Sequence, residues 1–376
     1  MSSNGVAILG AGIFAKEAHL PSLVAVGDKA PTLKAVYSRS EKSARDLAAA
    51  AADSLSLSSP PAIYHDGAKS TDLDALLARS DITSVIVVLP ITLQPDIILK
   101  ALEAGKHVIS EKPVGADVEG GLRLIKEYNL KYKSKGLIWR VAENFEAEAG
   151  FRAAGAAIAA GKIGEVIFFN AVVVSRVDKE TKWYKTPWRT VPDYQGGFLL
   201  DGGVHTIAAL RIMLPHALTQ LSSFASLNKD YLLPHDTITT VARAGSHFHG
   251  TVMLSFAQPT RSRPVGDSFV ITGTDGWLSV SQVTIPGSDI PVLRITIKSV
   301  LKVEGKPDEE REEIIEEPMR GVQLELESFF AAISGNHDAL ELGDPLGALR
   351  DVAFIQAALT SDGYLVDLTQ LVPATL

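Results

Sequence analysis

A chain of 376 residues is too long for one ordinary hydrophobic core and comfortable for two domains. Its 46% hydrophobic and 21% charged residues describe a folded globular protein, and a net charge of −8 argues against a general nucleic-acid or anionic-membrane binder. The absence of cysteine removes disulfides, cysteine-ligated zinc, iron–sulfur clusters and thiol nucleophiles together.

No apolar run approaches the ~18 residues of a membrane span. The opening MSSNGVAILGAG reaches its first strand at once, leaving no room for a signal peptide, and the final PATL is no retention signal. The expected compartment is the cytosol.

Over the first ~140 residues, short β-branched runs alternate with helix-like stretches, the pattern of a parallel sheet wrapped by helices. Strands are expected at 6–9, 33–37, 82–89, 107–110 and 137–141. Helices are expected at 15–26, 41–51, 73–78, 95–104 and 120–133, with a Ser/Pro-rich surface loop at 54–61. The character then changes. A helix over 151–160 stops at Gly161, and strands follow at 166–175, 237–244, 250–256, 269–272, 277–281 and 292–300. The turn Gly273-Thr274-Asp275-Gly276 reads as a hairpin, the acidic stretch 308–317 as a solvated strand or loop edge, and 322–333 and 346–359 as closing helices.

The expected fold is therefore α/β: an N-terminal Rossmann domain with a parallel sheet over 1–143, and a C-terminal α+β domain with a large, mostly antiparallel open sheet over 144–376. The closing helices are free to pack back on the first domain. Helices cover one face of the second sheet only, which leaves the other face for a partner.

The run Gly10-Ala11-Gly12-Ile13-Phe14-Ala15 follows an apolar strand and opens a helix, the G-x-G-x-x-G/A dinucleotide turn in its required context. Gly10 permits the tight turn, Gly12 the close approach of a pyrophosphate, and Ala15 the close packing of helix on strand. An NAD site expects a carboxylate at the tip of the second strand; here the strand ends in Ser38-Arg39-Ser40. Ser38 and Arg39 suit a 2′-phosphate, so NADP(H) is favoured over NAD(H), against the plainer reading of Arg39 as a surface residue.

Two further segments carry chemistry: Ser110-Glu111-Lys112-Pro113 at the end of a strand, and Asp201-Gly202-Gly203-Val204-His205, whose Asp201 and His205 share one helix face. Singly, each has a plainer reading. Lys-Pro after a strand is often a loop, Asp201 suits a helix cap, and His205 a core edge. Trp183, Tyr184, Trp188 and Arg189 would line a polar pocket or simply pack. His247 and His249 share a strand face but lack a third ligand, so no metal is expected.

Taken in order, the glycine turn, Glu-Lys-Pro and Asp-x-x-x-His resemble the Gfo/Idh/MocA family, named for glucose–fructose oxidoreductase and inositol dehydrogenase. The similarity runs through Ala142-Glu143-Asn144-Phe145 at the domain junction and covers essentially the whole chain. A fungal and yeast NADP(H)-linked branch looks closest, through Trp188-Arg189 and the run ending in His205. The resemblance implies an NADP-dependent dehydrogenase or reductase acting on a sugar, polyol or related hydroxyl or carbonyl compound.

It further implies Lys112, Asp201 and His205 as catalytic groups, and Trp188 and Arg189 beside them on the substrate. Gly10, Gly12, Ile13, Phe14, Ser38, Arg39, Leu89, Pro90, Glu111, Lys112 and Asn144 would hold the cofactor. Relatives of this kind oligomerise, so a homodimer or higher homo-oligomer is expected, with a small-molecule substrate and neither nucleic acid nor membrane as partner. Two departures stand out: Ile91 and Gln94 replace an asparagine and a histidine common in the family, and Glu146 an arginine. A non-catalytic NADP-sensing regulator and a glycosidase assisted by NAD(P) are the competing functions on the same fold.

Overall fold

The structure is a computed structural model that describes every residue except 1–4, 263, 265, 267, 288, 289 and 303–306, so the first residues of the no-signal reading lie outside it. The chain divides into two compact units. One comprises Met1–Asn144 with Val322–Leu349 and Leu376, the other Phe145–Gly321 with Arg350–Thr375.

The first unit is a Rossmann sheet. Strands β1 (Gly5–Leu9), β2 (Thr32–Ser38), β3 (Ala62–His65), β4 (Ser84–Val87), β5 (His107–Glu111) and β6 (Trp139–Ala142) lie in the order β3-β2-β1-β4-β5-β6, all parallel. β1 and β4 are buried along their whole length, as expected of central strands covered on both faces. Helices begin where a short polar side chain caps them: Ser40 before Glu41–Ser54, Asp72 before Leu73–Leu77 and Asp117 before Val118–Lys131. Helix Glu41–Ser54 buries Ala44, Leu47, Ala48 and Ala51, a stripe of helical period. Leu326, Phe329 and Phe330 from late in the chain complete this core around Val6, Ile8 and Val36.

Three local expectations need correction. β3 was not expected, because four residues after Pro60-Pro61 are too few to show a period. β4 is shorter than 82–89, and the chain leaves the sheet after Val87. The helix expected over 15–26 is instead a π-helical turn, Ala15–His19, followed by α-helix Leu20–Val26. Pro21 has no N–H to return to the preceding turn, and the wider π turn accommodates that loss.

The second unit holds a nine-stranded sheet. Its strands are β7 (Val166–Val174), β8 (Leu218–Ser226), β9 (Thr237–Ala244), β10 (Phe248–Ser255), β11 (Ser268–Gly273), β12 (Gly276–Val283), β13 (Val292–Leu301), β14 (Glu309–Pro318) and β15 (Val366–Asp367). The order is β14-β13-β12-β11-β7-β10-β9-β8-β15, and only the β7–β10 pair among these is parallel. β9 and β10 alternate buried and exposed residues, so one face is core. Helices Ala149–Ala159 and Phe198–Met213 cover that face, with Gly150 against Leu293 and Gly203 against Leu254.

β8 was not expected, since Ser222, Ser223 and Ser226 dilute its apolar alternation. The acidic stretch is the edge strand β14. Lys162, Arg294 and Lys298 pair with its Glu313, Glu316 and Glu312, the charged edge that discourages further strand pairing. Among the described residues no helix is long and apolar enough to cross a membrane.

Candidate functional site

In the first unit the strand order reverses between β1 and β4, the position at which parallel α/β sheets open a crevice at their carboxyl ends. Gly10 leaves β1 there with φ +117°, donating its N–H to the Tyr37 carbonyl at 2.8 Å. A Cβ at Gly10 would stand 2.1 Å from the Val88 carbonyl oxygen, so glycine is required by the turn itself. Gly12 differs: a Cβ there would meet no protein atom within 4 Å. Space over Gly12 beside a helix start is the cradle that a pyrophosphate needs. The residues therefore fit a dinucleotide.

Other residues expected at the cofactor reach the same carboxyl edge. Ser38 ends β2, Leu89 and Pro90 follow β4, Glu111 ends β5 with Lys112 next, and Asn144 follows β6. Leu89 lies against the Gly10 turn, and Ile13 and Phe14 are half-buried beyond it. Arg39 is exposed and makes no hydrogen bond or ion pair among the described residues. A carboxylate does stand nearby, on the adjoining strand end: Asp66 accepts a 2.7 Å hydrogen bond from the Tyr37 hydroxyl. Burial foremost, and then this carboxylate, raise the Tyr37 pKa well above its ordinary value.

His19 was not singled out as a site residue. It is fully buried at the end of the π-helical turn, with Nε2 2.6 Å from Glu111 Oε1 and its ring edge-on to Phe14 at 5.4 Å. Its Nδ1 has no hydrogen-bond partner among the described residues. Gln94, in the first turn of the helix that follows β4, is also buried, with neither amide atom partnered among the described residues. Sequence gave one signal for His19, its place one helical stretch beyond the glycine turn.

In the second unit, Gly196 and Gly197 take positive φ and deliver the chain into helix Phe198–Met213. Asp201 lies in the first turn, buried, and its Oδ2 accepts from Arg189 Nε at 2.7 Å. The Arg189 guanidinium lies 4.0 Å over the Trp188 ring and 5.3 Å from that of Trp183. Tyr194 packs against Trp188, with a buried hydroxyl that has no hydrogen-bond partner among the described residues. Burial and then the Asp201 charge push its pKa upward, which keeps it protonated.

His205, one turn beyond Asp201, stacks on Phe145 at 4.8 Å. It also borders a cavity of about 230 Å³ within this unit. Trp183 and Tyr184 pack on Val177, Phe198 and Leu232 instead of forming an open polar wall. His247 lies in the turn before β10, stacked on His216 at 4.2 Å, so the shared strand face expected for His247 and His249 is not formed.

Comparison with known proteins follows the same division. Residues 4–134 match the oxidoreductase family with an NAD-binding Rossmann fold, and residues 151–279 match the GFO/IDH/MocA C-terminal domain. The dehydrogenase FPY6 of Fusarium mangiferae is 40% identical over 364 residues, covering 95% of this chain and 96% of that one. A dTDP-3,4-didehydro-2,6-dideoxy-alpha-D-glucose 3-reductase of Streptomyces violaceoruber is 28% identical over 77% of this chain and 76% of its own. A crystal structure of an oxidoreductase from Thermotoga maritima superposes with a TM-score of 0.80 at 29% identity, covering 98% of this chain and 99% of that one.

Proposed function

The chain belongs to the Gfo/Idh/MocA oxidoreductase family, and from that premise we propose an NADP(H)-dependent dehydrogenase or reductase of small hydroxyl or carbonyl compounds of sugar or polyol type. The observation that carries the reading is the Gly10–Gly12 turn at the sheet reversal, with clear space over Gly12. The exposed Arg39 beside Ser38 supports the phosphorylated cofactor, since a guanidinium neutralises a 2′-phosphate. The 3-reductase named above supports a sugar-like substrate.

A bound nicotinamide dinucleotide supplies the hydride acceptor or donor. Oxidation takes the carbinol C–H as hydride and the O–H as a proton, leaving C=O; reduction runs the same steps backwards. Lys112 provides the positive charge that steadies the substrate oxygen as it changes between hydroxyl and carbonyl. His205 relays the proton, since an imidazole can accept a proton on one ring nitrogen and donate one from the other. Asp201 orients the substrate hydroxyl or the histidine, and its bond from Arg189 fixes the carboxylate in place. The first 143 residues act as the NADP-binding domain and the remainder as the substrate and oligomerisation domain. The acidic net charge supports a small molecule, not a nucleic acid, as partner in the cytosol.

The test follows nicotinamide absorbance with NADPH, NADH and their oxidised forms over aldoses, ketoses, polyols and dicarbonyls. Turnover preferring the phosphorylated cofactor is expected, with Lys112→Met lowering kcat/KM by about 100-fold or more. Tight NADPH binding with no turnover on the whole panel would favour a cofactor-sensing regulator instead.

A further inference from the structure

Two segments that wall the cavity beside His205 run on to line a second space in the same unit, a polar groove of about 330 Å³. The chain of β7 gives Val173 and Ser175 to the cavity, then Ser175, Arg176 and Asp178 to the groove. The chain leaving β10 gives Leu254 and Phe256 to the first, then Gln258, Arg261 and Ser262 to the second. Ser175 borders both spaces.

The groove walls are fastened. The Ser175 N–H donates to the Ser255 carbonyl at 2.7 Å, Val177 N–H to Phe256 at 3.2 Å and Gln258 N–H to Ser175 at 3.2 Å. The Lys229 ammonium ties the two segments again, donating to the carbonyls of Val177 at 2.9 Å and Gln258 at 3.2 Å. The loop that carries Arg261 is closed on itself, through Gln258 Nε2 on Thr260 Oγ1 and Thr260 Oγ1 on the Ser262 carbonyl, both at 2.9 Å.

Asp178 is the one carboxylate among the described lining residues, and it is already engaged. Its Oδ2 lies 2.9 Å from Arg176 Nη1, and its Oδ1 accepts from the Glu180 N–H at 3.0 Å. The second guanidinium, exposed Arg261, makes no hydrogen bond or ion pair among the described residues, and neither do the Ser175 and Ser262 hydroxyls. Two guanidiniums against one engaged carboxylate leave this lining positive in a chain of net charge −8. A neutral sugar hydroxyl gains ordinary hydrogen bonds there. A phosphate or carboxylate gains charge-assisted ones, about twice as strong, and matches the guanidinium fork with two oxygens.

We propose that this groove seats an anionic group of the substrate, a phosphate or a carboxylate, carried on the sugar or polyol at the end away from its reacting carbon. The proposal rests on the oxidoreductase reading for the placing of that carbon at His205, and on the groove alone for the anion.

Two measurements test it together. The first is NADPH-linked reduction of xylulose against xylulose 5-phosphate, and of sorbose against 5-ketogluconate, which separates phosphate from carboxylate. In at least one pair the charged member is expected to show a kcat/KM about 10- to 100-fold above the neutral one, the worth of a hydrogen bond to a charged group. Arg261→Gln should bring the members of that pair to within about threefold of each other. The second needs no turnover. The chain has no cysteine, so Ser262→Cys places a single thiol at the groove. Methanethiosulfonates of opposite charge then report the local potential. The sulfonate reagent is expected to gain about fivefold or more on the trimethylammonium reagent, relative to their rates with N-acetylcysteine amide. Xylulose 5-phosphate or 5-ketogluconate should slow the labelling and xylulose should not, and adding Arg261→Gln should remove most of the gain.

Anion preference and protection without any hydride turnover uphold the anion site and sink the oxidoreductase reading. Turnover that is equal within both pairs, or faster with the neutral members, overturns the proposal and leaves that reading standing. Labelling with no anion preference, or with no protection by either anionic sugar, overturns the assignment to this groove whatever the kinetics show.

Discussion

At the scale of single residues, the contacts that matter are short polar ones made in poor contact with water. His19 and Glu111 meet at 2.6 Å in the interior, which holds the π-helical turn after the glycines to the residue before Lys112. A carboxylate that accepts from a buried ring cannot wander, so the backbone leading into Lys112 is fixed from behind. Arg39 is the opposite case, an exposed guanidinium with no ion pair among the described residues. If it serves a 2′-phosphate, Arg39→Ala will raise KM for NADPH about 10- to 100-fold, the kinetic counterpart of ~1.5–3 kcal/mol for a hydrogen bond to a charged group. The KM for NADH will change far less. Parallel steady-state titrations of the two cofactors decide it, and equal losses for both would remove the phosphate-reading role.

At the scale of elements, helix Phe198–Met213 presents Asp201 and His205 near one end and is anchored at the other. Arg211, in its last turn, makes two hydrogen bonds to Asp351 at 3.0 and 2.9 Å and one to Glu146 at 3.3 Å. Burial by itself would lower the arginine pKa, but the two carboxylates outweigh it and raise it further. Glu146 is thus one of the two acids that neutralise this cation. Removing the cation strands two carboxylates in a dry site, so Arg211→Met should cost about 3–5 kcal/mol. Denaturant unfolding followed by tryptophan fluorescence measures the loss; a cost below ~1 kcal/mol would mean that the acids simply take up protons. Helix and anchor together make the spacing from Asp201 to His205 a fixed one.

At the scale of the molecule, the uncovered face of the nine-stranded sheet carries apolar side chains that a lone protein would bury. Phe168 is 42% exposed, Phe224 65%, Val241 54% and Met253 39%, and they stand on the neighbouring strands β7, β8, β9 and β10. Grouped exposed apolar residues on one sheet face mark an interaction surface. We propose that a second copy of the chain covers it, in the isologous manner of a two-fold dimer. Light scattering at micromolar concentration should then give twice the mass of 40.1 kDa, and Val241→Lys with Met253→Lys should return the single mass. A monomeric parent protein would refute the dimer.

Sequence by itself determined the class of each sheet and the location of the glycine turn after β1, because both are written in short-range pattern. Buried parallel strands read as continuous apolar runs, antiparallel ones as alternation, and Gly10 and Gly12 announce their turn within three residues. Elements too short or too polar to show a period, β3 and β8, escaped for the same reason. Tertiary structure alone decided which distant side chains meet. His19 finds Glu111 across 92 residues, and Arg211 finds Asp351 across 140. Phe145 stacks on His205, and rings from separate strands and helices enclose the cavity beside it. Such contacts leave no local period in the chain, since they arise only when sheets and helices are packed and the buried polar groups must find partners within reach.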